Sequence, residues 1–252
     1  MMRAIARLDI KNEWVIKGIQ LEGLRKVGNP IEMAEQYYLG GINEIVFMDA
    51  VASLYDRNNL FHIIERACRK VFVPIAIGGG LRSLEDVSRA LDCGADKVVI
   101  NTGAVRNIGL VTEIANRFGS QCVIGSIEAK RDGFDKWNVY VDNGREPTGF
   151  DVLTWVKRLE QAGVGEILLT SVDQEGTGKG FDNNLVEAVN KSVNRPVIVS
   201  GGYGEPKHVE ALLKKTTPSA VAFASVLHYR KSTPFDLMKI ISDAKLACES
   251  GK

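Results

Sequence analysis

The chain has 252 residues, 45% of them hydrophobic and 25% charged, with a formal net charge of +1. This is the composition of a globular protein with a large core, and the near-zero charge excludes bulk attraction to nucleic acid or a membrane surface. No apolar run reaches the ~18 residues of a transmembrane helix. The opening MMRAIARLDIKNEW lacks a signal-peptide pattern, and four scattered cysteines with three distant histidines suggest reduced cytosolic thiols rather than a disulfide framework or a zinc site.

The first apolar run, AIARLD (4–9), ends on Asp9 and is followed by a long connection, 11–29. Asn29-Pro30 then offers a cap and a first-turn proline for a helix over PIEMAEQYYL. The pattern repeats down the chain. EIVFMD (44–49) precedes a helix NLFHIIERACRK, VPIAIG (73–78) precedes SLEDVSRALDCG, and KVVIN (97–101) precedes NIGLVTEIANRFG. CVIGSIE (122–128) runs into a segment, 130–148, whose alternating WNVYV between polar turns predicts a small hairpin above the fifth strand. DVLTWVKRLEQAG follows, then EILLTS (166–171), NNLVEAVNKSV, RPVIVS (195–200), KHVEALLKKT, AVAFAS (220–225) and PFDLMKIISDAKLACE. Ser83 and Asp182 are further candidate caps. Near-continuous apolar strands separated by helices imply a parallel sheet covered on its outer face. Eight such units in one chain of this length predict an α/β fold, a single closed (β/α)8 TIM barrel with no linker to a second domain.

The sequence also repeats itself. LGGINEIVFMD (39–49) aligns with QAGVGEILLTS (161–171), and VPIAIGGG (73–80) with RPVIVSGG (195–202), both at an offset of 122. The expectation is a barrel over 1–252 built from two half-barrels, 1–120 and 121–252.

In such barrels chemistry sits at the C-terminal ends of the strands. Asp9, Asp49, Asn101, Glu128, Thr170, Ser171 and Ser200 fall there, with Asp173 just beyond. The repeat pairs Asp9 with Glu128 across the mouth, where two carboxylates can divide acid and base roles. The turns GGG (78–80), with Gly79 and Gly80, and SGGYG (200–204), with Gly201 and Gly202, each follow a strand and precede a helix. Exposed backbone N–H groups in such turns suit a phosphate. NTGA (101–104), with Thr102 and Gly103, and ASVL (224–227), with Ala224 and Ser225, complete one cradle in each half. Two cradles predict a long substrate with a phosphate at each end. At the other end of the strands Arg3 and Glu166 share inward parity, while Glu44 and Lys97 open their strands. Taken alone these four residues read as a solvated rim, with a subunit interface as the other possibility.

These segments, with LDIKNEWVIKG (8–18), VFMDA (46–50), GADKVVINTGAV (94–105), FGSQCVIGSIEAKRDG (118–133), GEILLTSVDQEGTGKG (165–180), VSGGYG (199–204) and ASVLHYRK (224–231), resemble the cyclase subunit of imidazole glycerol phosphate synthase over essentially the whole chain. The resemblance implies a bisphosphate substrate, a formimino-aminoimidazole carboxamide ribonucleotide bearing a phosphoribulosyl group. It further implies ammonia delivered through the barrel from a separate glutaminase, a class I glutamine amidotransferase, in the cytoplasm, with no cofactor or metal. Asp9 matches the first catalytic aspartate. Lys17, Asn101, Thr102, Thr170, Gly201, Gly202, Ala224 and Ser225 match substrate-contacting positions, and Gly176 of DQEGT is grouped with them. Arg3, Glu44, Lys97 and Glu166 match a charged ammonia gate, and Asp96 and Gln121 match glutaminase-interface positions. Three positions depart from the pattern: Glu128 and Glu175 stand where aspartates are usual, and Arg7 where a small residue is usual. The departures leave open a paralogous barrel that supplies ammonia for amidation of an acetamido sugar. A silent barrel that only scaffolds a glutaminase is the third reading, against which Asp9 and the two cradles argue.

Overall fold

The computed structural model describes residues 2–50 and 60–250. The start of the predicted helix NLFHIIERACRK, at Asn59, lies outside them. Eight parallel strands close on one another in the order β10-β11-β12-β1-β4-β5-β6-β7, with β7 pairing back to β10. They are β1 (Arg3–Lys11), β4 (Glu44–Asp49), β5 (Ile75–Gly78), β6 (Lys97–Ile100), β7 (Val123–Arg131), β10 (Glu166–Ser171), β11 (Val197–Ser200) and β12 (Ala220–Phe223). This is the (β/α)8 barrel expected from the alternation of short apolar runs and helical periods.

Helices cover the outside: α1 (Pro30–Leu39), α2 (Phe61–Ala67), α3 (Leu84–Asp92), α4 (Thr102–Arg106), α5 (Ile108–Phe118), α6 (Val152–Ala162), α7 (Asn183–Ser192), α8 (Pro206–Lys215), α9 (Ser225–His228) and α10 (Pro234–Ser250). The three anticipated caps form. Asn29 Oδ1 accepts from the Ile31 N–H at 2.9 Å, Ser83 Oγ from the Asp86 N–H at 3.2 Å, and Asp182 Oδ1 from the Leu185 N–H at 3.2 Å. Each satisfies an N–H that the first helical turn leaves unpaired.

Strand alternation splits the apolar residues into two sets. Ala4, Ala6, Leu8, Phe47, Ile77, Val98, Ile127, Leu169 and Val221 point outward and pack with the helices. Ile5, Val46, Ala76, Val99, Ile124, Leu168, Ile198, Ala220 and Ala222 point inward and fill the bore. Above this plug, towards the C-terminal ends, the inward positions turn polar: Arg7 and Asp9 on β1, Ser126 and Glu128 on β7, Thr170 on β10, Ser200 on β11, all buried. Below it lie Arg3, Glu44, Lys97 and Glu166. The first strand therefore carries Arg3, Ile5, Arg7 and Asp9 inward, one per layer, because side chains on a strand share a face every second residue.

Two hairpins rise from the mouth. β8 (Trp137–Val141) and β9 (Glu146–Asp151) continue antiparallel from β7, with Glu128 opposite Tyr140. This is the hairpin expected from WNVYV. The connection after β1 is a second hairpin, of β2 (Trp14–Ile19) and β3 (Glu22–Gly28), where the sequence indicated only a long connection. Its turn places Gln20 and Leu21 at φ of 52° and 64°, a geometry usually marked by Asn or Gly. Burial of Leu21 and a hydrogen bond from Asn143 Nδ2 to its carbonyl (3.3 Å) offset the strain. Among the described residues no helix is long and apolar enough to cross a membrane.

Candidate active site

Asp9 and Glu128 both line a cavity of about 190 Å³ at the mouth, together with Arg7, Asp49, Gly79, Gly80, Asn101, Thr102, Gly103 and Asn143. A larger depression of about 1230 Å³ lies at the other end of the barrel, bordered by Arg195, Lys214 and Lys245, and contains none of these strand-end groups. The chemistry therefore belongs to the mouth.

The two carboxylates sit in opposite surroundings. Asp9 Oδ1 accepts from Arg7 Nε at 2.9 Å, and Oδ2 lies 3.8 Å from Lys17 Nζ. Burial alone would raise its pKa, but the charges of Arg7 and Lys17 outweigh burial and hold it below the ordinary carboxylate value. Among the described residues Glu128 accepts a single bond through Oε2, from the Gly144 N–H at 2.7 Å. Burial pushes its pKa up to about 7, with Gly144 and Arg7 opposing and Asp9 and Asp142 adding to the rise. At neutral pH one group is an anion and the other sits near its midpoint. That is the separation an acid–base pair needs.

Lys17 comes from β2, the strand the sequence concealed, and its ammonium also pairs with Glu175. The Gln20 N–H donates to the Glu175 carbonyl at 2.7 Å, tying this hairpin to the loop after β10. Arg7 reaches across the bore. Its Nη1 donates to Thr170 Oγ1 at 2.8 Å and to Ser200 Oγ at 3.2 Å. Its guanidinium is held charged: burial disfavours the charge, and Asp9, Glu175 and Glu128 together more than offset that.

The glycine turns match across the mouth. Gly79 and Gly201 share a φ of 95°, and a Cβ at either would lie 2.4 Å from the Asp49 carbonyl oxygen or 2.7 Å from that of Ser171. Only glycine fits there. Gly79 and Gly80 line the mouth cavity beside Asn101–Gly103, which follow the neighbouring strand β6. Gly201, Gly202, Gly176, Ser200, Ala224 and Ser225 border a small hollow of about 20 Å³ on the other side. Asn101 Oδ1 and Ser171 Oγ are buried with no hydrogen-bond partner among the described residues. Such atoms at a mouth suit a bound ligand. Asp49 is buried at the end of β4. Asp173, just past β10, accepts the Arg131 N–H at 2.8 Å and so serves the base of the hairpin.

Some lining residues were not picked out from the sequence. Asn143 and Gly144 reach the site from the β8–β9 turn. Arg82 and Arg106 border the same cavity beside the first glycine turn. The signal for the two arginines was a basic residue soon after each small-residue turn, in GGGLR and TGAVR.

At the opposite end the four charges form a closed ring. Arg3 Nη1 lies 2.6 Å from Glu44 and pairs through Nη2 with Glu166, while Lys97 Nζ lies 3.1 Å from Glu44 and 2.9 Å from Glu166. Glu44 is 1% exposed, so it is not part of a solvated rim. Of the other two residues at this end, Asp96 accepts the Ile75 N–H at 2.8 Å and Gln121 is exposed.

Fold and mouth thus define a (β/α)8 barrel with a carboxylate pair flanked by two glycine turns. The family described as histidine biosynthesis protein matches residues 3–233, and the chain belongs to that family. It is similar to proteins named imidazole glycerol phosphate synthase subunit HisF. That of Legionella pneumophila is 57% identical over 204 residues, covering 81% of this chain and 96% of the relative. Those of Bacillus cereus strain Q1 and Myxococcus xanthus are 44% and 43% identical, covering 97% and 98% of both chains.

Proposed function

We propose that the chain is the cyclase subunit of an imidazole glycerol phosphate synthase, acting in histidine biosynthesis. The observation that carries this reading is the pair of carboxylates on one mouth cavity, one held ionised and the other near its midpoint. Asp9 and Glu128 move protons on a ribonucleotide bisphosphate. Gly79, Gly80 and Asn101–Gly103 hold one phosphate, with Arg82 and Arg106 beside them. Gly201, Gly202, Ala224 and Ser225 hold the other, and Lys17 and Thr170 lie between. Placing like cradles on opposite sides of one mouth follows from duplication of a half-barrel. A glutaminase docks at the face bearing Asp96 and Gln121, and ammonia enters through the ring of Arg3, Glu44, Lys97 and Glu166. The products are imidazole glycerol phosphate and an aminoimidazole carboxamide ribonucleotide.

One observation favours the paralogous amidation reading: Arg7 spans the bore and engages Asp9. A single experiment separates the two. Purified chain is given the bisphosphate substrate and an ammonium salt at alkaline pH, and loss of substrate absorbance is followed. Turnover is expected. Folded protein without turnover overturns the cyclase reading in favour of the paralogue.

A further inference from the structure

Arg7 is a fully buried cation in the middle of the candidate site, and neither the carboxylate pair nor the glycine cradles account for it. In the closed strand order β1 and β10 are separated by β12 and β11. A side chain that starts on β1 and ends on Thr170 of β10 has therefore crossed the bore, directly above the apolar plug. Among the described residues its three side-chain hydrogen bonds divide cleanly: one charged, to Asp9 through Nε, and two neutral, to the Thr170 and Ser200 hydroxyls through Nη1. The hydroxyls fix the plane of the guanidinium, and the plane fixes Asp9. An ammonium, a point donor on a flexible stem, has no such rigid fork with which to hold all three.

The charges around Asp9 are Arg7 on its own strand, Lys17 on β2, Glu175 in the loop after β10, and Glu128 on β7. His228 on α9 also faces it. Burial and then the Lys17 charge push that histidine down to about 4, so at neutral pH it is uncharged, and it pairs with Tyr37 Oη at 2.8 Å. A proton arriving on Asp9 would break a buried ion pair. A proton arriving on Glu128 breaks none, since its hydrogen-bond partner among the described residues is a neutral backbone N–H.

We propose that Arg7 is a positioning residue: laid across the bore, it fixes Asp9 as the anion of the resting mouth and leaves Glu128 as the carboxyl that carries the exchangeable proton at rest. This rests on the reading that both carboxylates act on one substrate, and its test does not depend on turnover. The full chain is prepared with 13C-labelled Asp and Glu carboxyls, and the two signals are assigned by their loss in Asp9→Asn and Glu128→Gln. In the wild type the Asp9 signal stays flat from pH 5 to 9 while Glu128 titrates within that range. In Arg7→Gln, which is shorter, keeps a polar end and removes the charge, Asp9 titrates inside the range. In Arg7→Lys it is flat again.

Where the ammonium-driven reaction is measurable, Arg7→Gln lowers kcat by about tenfold or more with KM little changed, and moves the acidic limb of the pH profile upward. Arg7→Lys recovers the position of that limb. A wild-type Asp9 that titrates in this range, or a Glu128 that does not, overturns the proposal. So does an Asp9 signal that stays flat in Arg7→Gln. Should Arg7→Gln not fold, the wild-type titration decides. A wild type with these titrations and no turnover would sink the cyclase reading and leave the role of Arg7 standing.

Discussion

Replacing Glu128 by Gln is predicted to stabilise the protein, and more so as pH rises. The carboxyl has an ordinary pKa of 4.5 and is pushed up to about 7 when folded, chiefly by burial. Below the lower value it is protonated in both states and costs nothing. Between the two values the native state holds a proton that the unfolded state has released, so stability falls with rising pH. Above the upper value the whole cost is present. At about 1.36 kcal/mol per pKa unit, it comes to about 3 kcal/mol. Glutamine never ionises, and its Oε1 can still accept the Gly144 N–H. The Asp9 ion pairs have the opposite dependence, losing strength as pH falls, but they are common to both proteins and cancel in the difference. Urea unfolding of wild type and Glu128→Gln at pH 5.5 and 8.5 reads the effect. The variant's advantage should grow by about 2 kcal/mol between those pH values. Unfolding curves that shift in parallel, or a wild type that gains on the variant, would refute the assignment of a buried, nearly unpaired carboxyl.

Asp9→Asn should abolish turnover and also destabilise by about 3–5 kcal/mol, because Arg7 and Lys17 are left buried without their shared anion; urea unfolding at neutral pH measures it. Glu128→Asp shortens the side chain by about 1.5 Å, beyond reach of the Gly144 N–H, and turnover should fall by about a hundredfold. Unchanged or faster turnover would show that the glutamate is not matched to its surroundings. Gly201→Ala should cost about 1–3 kcal/mol and weaken binding of inorganic phosphate by calorimetry. Gly149→Ala, also at positive φ but with nothing near its Cβ position, is the control that should leave phosphate binding unchanged.

The order of strands and helices could be read from the chain because its signals are local. A β-branched run of four to six residues, a cap such as Ser83 or Asp182 and a strand-ending glycine each act within a turn or two. The second hairpin was legible for the same reason, since Asp142-Asn143-Gly144 is a turn written in residues that tolerate positive φ. The first hairpin was not. Gln20-Leu21 takes the same backbone shape only because Leu21 is buried against residues more than a hundred positions away, and Lys17 reaches the mouth only because that hairpin forms.

The site shows the same division. Inward parity along β1 and β7 sufficed to place Asp9 and Glu128 at the mouth, and the approximate correspondence of the first and fifth strands in the repeat sufficed to set one against the other. The one local sign of which is the anion is Arg7, two residues before Asp9 on the same face of β1. The outcome depends on a guanidinium crossing from β1 to β10, an ammonium arriving from β2 and a lone N–H from the β8–β9 turn. The positions of the carboxylates were thus determined by the sequence alone, through strand period and repeat. Their protonation was decided largely by tertiary structure, because burial, the Lys17 charge and the Gly144 N–H act through space and depend on how the strands and hairpins fold together.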